Sequence, residues 1–390
     1  MSETTQDPGT TGLIHHPYTP PAGFEAPQVG VHKASTVIFA NTAAMRARDW
    51  RYKNGYTYGL HGTPTTFTLE ERIAHLEGGL QCVLAPSGLA AISLVDLALL
   101  QQGDEVLIPV NAYGPGKDFA VQQLARFGIT HRLYDPMDAA ALASMIAPAT
   151  KLVWLEAPGS VTMEFPDLRG LVAAARARGV TTALDNTWGA GLAFDGFALG
   201  CDIVMQALTK FPSGGGDVLM GSVTTRDPAL HERFKLAHMR LGLGVAANDA
   251  ELVLRSLPSM ALRYHAHDQA ARTLALWLQT QAPISRVLHP ALPGSPGHEH
   301  WQNTCSAAAG LFSVMVDARH SAAKVDAFVD ALKLFRIGYS WGGPVSLVVP
   351  YDLPSMRSPA PYAGTLVRFS IGLEHVADLQ ADLAQALAVL

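Results

Sequence analysis

Short apolar runs alternate with longer amphipathic stretches through the middle of the chain. The runs at 106–110, 152–156, 182–184, 203–207 and 218–223 have strand length and almost no polar face, the pattern of parallel strands covered on both sides. Helical patterns separate them at 87–100, 117–127, 139–146 and 168–177, with turn signals at Gly103-Asp104, Gly128 and Gly179. Strands spaced by helices of this length predict an α/β domain with a mostly parallel sheet. Ahead of it, a capping box from Thr68 to Glu71 predicts a helix that ends near Leu76 and is stopped by Gly78-Gly79.

The two ends of the chain read differently. Residues 1–62 lack periodicity. Pro8, Pro17, Pro20, Pro21 and Pro27 keep them extended, and Trp50, Tyr52, Tyr56 and Tyr58 form an aromatic run. Such an arm is expected to pack on something other than itself. A long helical stretch at 249–281 contains Pro258, which predicts a break there. Strand patterns at 311–316, 337–340 and 366–371 then mix with helices at 322–335 and 376–388. The expected organisation is an arm over 1–62, an α/β domain over 63–255 and a smaller α+β domain over 256–390.

Composition narrows the function classes. With 390 residues, 48% hydrophobic and 16% charged, the chain can bury more than one core and does not resemble a disordered protein. A net charge of −5 without any Lys/Arg block leaves no nucleic-acid footprint. The apolar stretch at 89–100 is broken by Asp96 and is too short to span a bilayer. The start, from Met1 to Thr11, is polar and lacks the order of a signal peptide. Cys82, Cys201 and Cys305 are scattered and odd in number, so neither disulfides nor a cysteine metal site is expected, and a reducing cytoplasm fits. Few charges on so long a chain favour self-association.

The chemistry concentrates at strand ends. Lys210 follows the apolar run 203–207 and precedes Ser213 and the glycines 214, 215 and 216. Strand ends of parallel sheets open onto ligand crevices, glycines allow close backbone approach, and a lysine there can form a Schiff base with an aldehyde cofactor. Asp185, in T-A-L-D-N-T-W, ends another apolar strand and can hold the protonated pyridine nitrogen of pyridoxal 5′-phosphate (PLP). Ser87-Gly88 opens a helix, where the N–H groups of Gly88 and Leu89 suit a phosphate; the Thr209 hydroxyl could serve the same anion. Tyr113 follows a strand and can stack on a flat ring, or simply pack in the core. Arg368, inside an apolar strand, needs either a structural salt bridge or a substrate carboxylate.

Together Thr209-Lys210 with its glycine run, Asp185-Asn186-Thr187 and Ser87-Gly88 resemble the trans-sulfuration (Cys/Met metabolism) family of fold-type I PLP enzymes. The segments L-E-A-P-G-S-V-T-M-E (155–164), H-P-A-L-P-G-S-P-G-H-E (289–299) and Y-S-W-G-G (339–343) carry the resemblance further, from about residue 33 to the C-terminus. It implies that Lys210 holds the cofactor covalently, Asp185 pairs with its ring nitrogen, and Tyr113 stacks on the ring. Gly88, Leu89 and Thr209 would hold the phosphate. Arg368 would bind the substrate carboxylate near Ser340 and Trp341, and Tyr58 would reach in from a neighbouring subunit of a homotetramer. Two positions depart from the family. Leu60 stands where an arginine usually binds phosphate across the subunit interface, leaving Arg51, Lys53 and His61 as substitutes, and Ala207 stands where many relatives have serine.

In this family an acidic residue before the S-x-G-G turn goes with chemistry at the γ-carbon; here the residue is Tyr339. The expected reaction is therefore β-elimination of L-cystathionine to homocysteine, pyruvate and ammonia, a step of methionine biosynthesis, with Lys210 as base and Lys210 or a tyrosine (Tyr113 or Tyr58) as the acid. The γ-type trans-sulfuration enzymes, cysteine or cystine lyases and aminotransferases stand as alternatives, as does, in another class, a PLP-binding regulatory protein.

Overall fold

In the computed structural model, which describes residues 9–390, the buried runs line up as one seven-stranded sheet. Its strands are β1 (Gln81–Ala85), β2 (Glu105–Pro109), β3 (Thr130–Tyr134), β4 (Thr150–Glu156), β5 (Thr181–Asp185), β6 (Ile203–Gln206) and β7 (Gly221–Thr225), in the order β1-β7-β6-β5-β4-β2-β3. From β6 to β3 every neighbour is parallel, and the strands are buried except at the β3 edge. Pro8 and most of the polar start lie outside the described residues.

Three expectations change in contact with this sheet. The run 218–223 was expected to be a parallel strand, but β7 begins at Gly221 and runs antiparallel to both β6 and β1. The connection between Gln206 and Gly221 holds hydrogen-bonded turns around Lys210 and no helix, and without a crossover helix the chain turns back beside β6. Val218 and Met220 are apolar because they are buried in the approach to the strand. The predicted capping box at Thr68 is displaced: helix α1 spans Pro64–Leu76, and the reciprocal bonds join Thr63 and Thr66, with Pro64 at the first turn. Thr68 lies inside the helix, its hydroxyl donating to the Pro64 carbonyl at 2.8 Å. The pattern at 117–127 resolves into α2 (Gly114–Gln122) followed by a 3₁₀ turn at Leu124–Phe127.

The second sheet holds β8 (Ile284–Leu288), β9 (Leu311–Val316), β10 (Arg336–Ile337), β11 (Leu347–Tyr351) and β12 (Thr365–Ser370), in the order β10-β11-β12-β9-β8. It is antiparallel apart from the β10–β11 pair. The predicted strand 337–340 shrinks to Arg336–Ile337, because Ser340 adopts φ 91°, outside any strand conformation. Phe312, Phe328, Phe369 and Leu383 fill the core between this sheet and the helices Ala322–Asp330 and Val376–Leu387. The two layers are one fold-type I arrangement, an α/β domain with a smaller α+β sheet beside it.

The break at Pro258 is where the sequence places it. A helix over Ala247–Ser256 gives way to a single 3₁₀ turn, Leu257–Ser259, and restarts as Met260–Leu278. The restarted helix leans on the chain around residue 211. Phe211, fully buried, has its ring 4.7 Å from that of Tyr264 and 5.5 Å from those of His267 and Trp341. Arg263 Nη1 donates to the Phe211 carbonyl at 2.9 Å. Among the described residues no helix is long and apolar enough to cross a membrane, and all three cysteines are free.

A polar network lies beneath the α/β sheet. Glu77, just past α1, accepts from Asn186 Nδ2 at 2.8 Å and from Gln206 Nε2. Burial pushes its carboxyl up to about 8. Below about pH 4.5 both folded and unfolded chains keep the proton, so Glu77 contributes no pH dependence. Between there and pH 8 only the unfolded chain releases it, so folding weakens as pH rises through this window. Glu77→Gln cannot ionise and removes that slope. Its melting temperature should gain on wild type as pH rises from 5 to 9 in scanning fluorimetry. Glu77→Ala should lose about 1–3 kcal/mol by stranding two buried amides.

Candidate active site

The carboxyl ends of β2, β4, β5 and β6 open on one side of the sheet, and polar side chains cluster there. Asp185 ends β5 and sits in register with Glu156, which ends β4. Thr187 donates its hydroxyl to Asp185 Oδ1 at 2.5 Å and its backbone N–H to the same oxygen at 3.0 Å. The Thr187 oxygen in turn accepts from the Ala207 N–H at 2.9 Å, which ties Asp185 to the turn that carries Lys210. Burial raises the proton affinity of Asp185; the bonds from Thr187 and the nearby Lys210 amine oppose that rise.

Lys210 lies in a tight turn after β6, closed by Lys210 N to Ala207 O at 3.1 Å and Gly214 N to Lys210 O at 2.9 Å. Its Nζ donates to Ser340 Oγ at 2.6 Å and stands 5.3 Å from the Trp341 ring centre. The loop bearing Ser340 and Trp341 comes from the second sheet and packs against the turn. A side chain at Gly342 would strike the backbone of Phe211, 2.9 Å away, and that glycine also has φ 80°. Burial, then the Arg368 charge, lower the Lys210 amine to about 8, with Asp185 pulling the other way.

Arg368 is in the middle of β12, 8% exposed, with its guanidinium 5.3 Å over the Tyr351 ring. Among the described residues no carboxylate pairs with it. The salt bridge that would have explained it is therefore absent, and a guanidinium buried without an anion points to a ligand carboxylate.

Tyr113 caps α2, is 42% exposed, and lines a pocket together with Asp185, Glu156, Ala112 and Trp154. Gly88 and Leu89 begin the helix Gly88–Leu99, whose Ser87 cap accepts from Ala90 N at 3.0 Å. Their own N–H groups have no acceptor within the helix. A Cβ on Gly88 would sit 2.7 Å from Ala207 Cβ, so this helix end touches the start of the Lys210 turn only because residue 88 is glycine.

The remaining expected site residues lie elsewhere or are engaged. The Thr209 hydroxyl donates to the Met220 carbonyl at 3.2 Å and accepts from the Met220 N–H at 3.0 Å. Tyr58 is 48% exposed in the extended arm, bridged to Thr36, with its ring 6.2 Å from His61; none of its contacts reaches Lys210. The cations weighed as substitutes at Leu60 are held by their own chain. Lys53 pairs with Glu70 at 3.1 Å, Arg51 with Glu232 at 3.3 Å, and His61 Nδ1 with the Thr57 hydroxyl at 2.7 Å. Glu156 was given no role from sequence. Its signal was an acid closing an apolar strand, the same signal that marked Asp185.

A strand-end carboxylate, a lysine of lowered basicity and a helix start with free N–H groups place the chain among PLP-dependent enzymes of the large-plus-small-sheet type. The sequence profile described as Cys/Met metabolism PLP-dependent enzyme matches residues 10–388, and the chain belongs to that family. It is 39% identical over 396 residues to the cystathionine beta-lyase of Bordetella avium, covering 99% of each chain. It is 36% identical over 361 residues to the cystathionine beta-lyase MetC of Escherichia coli, covering 90% of this chain and 91% of that one. The crystal structure of metB from Corynebacterium glutamicum superposes with a TM-score of 0.90 at 26% identity, over 98% of both chains.

The contact between residues 88 and 207 is open to a compensation test. Gly88→Ala should weaken PLP retention at least tenfold in equilibrium dialysis. Adding Ala207→Gly, which removes the opposing Cβ, should recover most of that loss.

Proposed function

We propose that the protein is a PLP-dependent carbon–sulfur lyase that cleaves L-cystathionine by β-elimination, with water consumed and homocysteine, pyruvate and ammonia released. The observation that carries this reading is Lys210 Nζ, lowered to about 8, bonded to Ser340 and facing a buried Arg368 that lacks a carboxylate. The similarity to proteins named cystathionine beta-lyase supports the substrate.

The residues fit the cofactor. The free N–H groups of Gly88 and Leu89 suit its phosphate, Asp185 its ring nitrogen and Lys210 its aldehyde. When bound, PLP supplies the electron sink that lets an amino acid lose its α-proton and then a β-substituent. The chain supplies the rest. Arg368 offers a bidentate grip on the substrate carboxylate. Ser340 Oγ aims Lys210 Nζ, whose lowered basicity suits it to take a proton from carbon near neutral pH and return it to the leaving sulfur. Asp185, braced by Thr187, provides the negative charge that stabilises a protonated ring nitrogen. Tyr339, 78% exposed beside Tyr351, brings no carboxylate to this entrance, which favours β- over γ-chemistry.

We further propose that the enzyme works as a homotetramer in which Tyr58 completes the site of a neighbouring copy. The arm supports this with strongly exposed apolar side chains, Ile38 at 87% and Phe24 at 65%. Three free cysteines suit the cytoplasm, where we place it.

Incubation with L-cystathionine should yield pyruvate and a free thiol in equal amounts; 2-oxobutyrate would instead indicate cleavage at the γ-carbon, and no product would sink the lyase reading. Lys210→Ala should abolish turnover and the borohydride-fixed cofactor. Arg368→Leu should raise KM and lower kcat/KM by about 10²-fold, in line with losing charged hydrogen bonds of about 1.5–3 kcal/mol, while its bound-cofactor absorbance stays that of wild type.

A further inference from the structure

Beneath Tyr113 lies a second carboxyl for which the reaction just described has no use. Glu156 ends β4 beside Asp185, and both line the pocket under Tyr113. Among the described residues no cation forms an ion pair with Glu156; the neighbouring Lys117 donates instead to the Val110 carbonyl at 2.7 Å. Desolvating a carboxyl with no paired cation is unfavourable unless its hydrogen bonds are needed. Burial and the adjoining Asp185 push the Glu156 proton affinity well up, against the Tyr113 N–H and the nearby Lys117 charge, so it can accept bonds without adding a second charge next to Asp185.

What Glu156 bonds is the backbone of the site. Its Oε2 accepts the Tyr113 N–H at 2.8 Å, and the carboxyl also takes a bond from the backbone of Ser160. One side chain thus ties the loop after β2 to the loop after β4. The tie adds to the bonds that the Tyr113 carbonyl accepts from the N–H groups of Gly116 and Lys117. The tyrosine is 42% exposed, no side-chain bond caps α2 from it, and its φ of −47° and ψ of 119° leave it outside the helix. Packing alone does not set where this ring stands.

We propose that Glu156 is a positioning residue that sets the height of the Tyr113 ring above Asp185 through the bond to the Tyr113 N–H, and so the gap into which a flat cofactor ring fits. This rests on the PLP site proposed for Lys210 and Asp185. The length of the side chain then matters more than its charge. Glu156→Gln keeps the length and one acceptor oxygen. Glu156→Asp keeps the acid but draws the acceptor back by about 1.5 Å, one carbon–carbon bond.

Equilibrium dialysis of the holoprotein should give a PLP dissociation constant within threefold of wild type for Glu156→Gln and at least tenfold weaker for Glu156→Asp. The kcat/KM values should fall in the same order. In a Tyr113→Ala background the two variants should differ by less than twofold, because both act through the missing ring. Circular dichroism and melting temperature establish that each variant is folded. If Glu156→Asp does not fold, Glu156→Met, of similar length and without a strong acceptor, takes its place against Glu156→Gln. Wild-type behaviour of the shortened variant, equal damage in the glutamine variant, or losses that multiply with Tyr113→Ala would each overturn the proposal. A wild-type protein that cannot be fixed to PLP at Lys210 by borohydride would instead overturn the cofactor site itself.

Discussion

Lys210 is held by its neighbour. Phe211 is driven into an apolar cage made by Tyr264, His267 and Trp341, and its carbonyl is clamped by Arg263. Every one of these partners lies beyond the break at Pro258. Burying an aromatic ring on all sides is worth about 1.5–3 kcal/mol, and the edge-on contacts add to it. That burial fixes the backbone one residue from Lys210, so the amine can have little freedom beyond its own side-chain torsions. The helix after Pro258 and the loop between β10 and β11 must therefore be packed against the Lys210 turn before its nitrogen has a defined place.

Electrostatics in the crevice follow from the same packing. Arg368 is buried and Lys210, Asp185 and Glu156 are partly covered, and charges so placed act on each other more strongly than in solvent. Burial and Arg368 weaken the hold of Lys210 on its proton, while Asp185 strengthens it. The compromise leaves an amine near the midpoint of its titration in ordinary buffers. A lysine on the surface could not alternate between giving and taking protons at that pH. The Thr187 hydroxyl links the two halves of this arrangement, bonded at once to Asp185 and to the first residue of the lysine turn.

Much of this was readable in the chain because the decisive features are local. An acid or a lysine closing an apolar strand, a serine before a glycine at a helix start, and a proline inside a helical stretch each carry their own geometric meaning. Other features were not readable because their causes are distant or degenerate. Strand β3 has an exposed, polar edge face and so no hydrophobic run, and β7 is built of small and β-branched residues while the apolar run lies just before it. Thr63 and Thr68 both precede plausible capping partners, and only Pro64 distinguishes the true start. The partners of Glu77 lie 109 and 129 positions away. The Met220 backbone that bonds the Thr209 hydroxyl lies 11 positions along the chain.

Arg368 belongs to the second sheet and Lys210 to the first. An amino acid held by its carboxylate on one and by its nitrogen chemistry on the other would span the seam between the layers. Such a ligand acts as a temporary crosslink: it stabilises the folded form in proportion to the logarithm of its concentration over its dissociation constant, and the gain falls on the junction. A slow substrate or an unreactive amino acid should then protect the Pro258 junction from proteases and from hydrogen exchange more than it protects either sheet's interior. Resistance to cleavage there becomes a physical gauge of occupancy that needs no chemistry to occur.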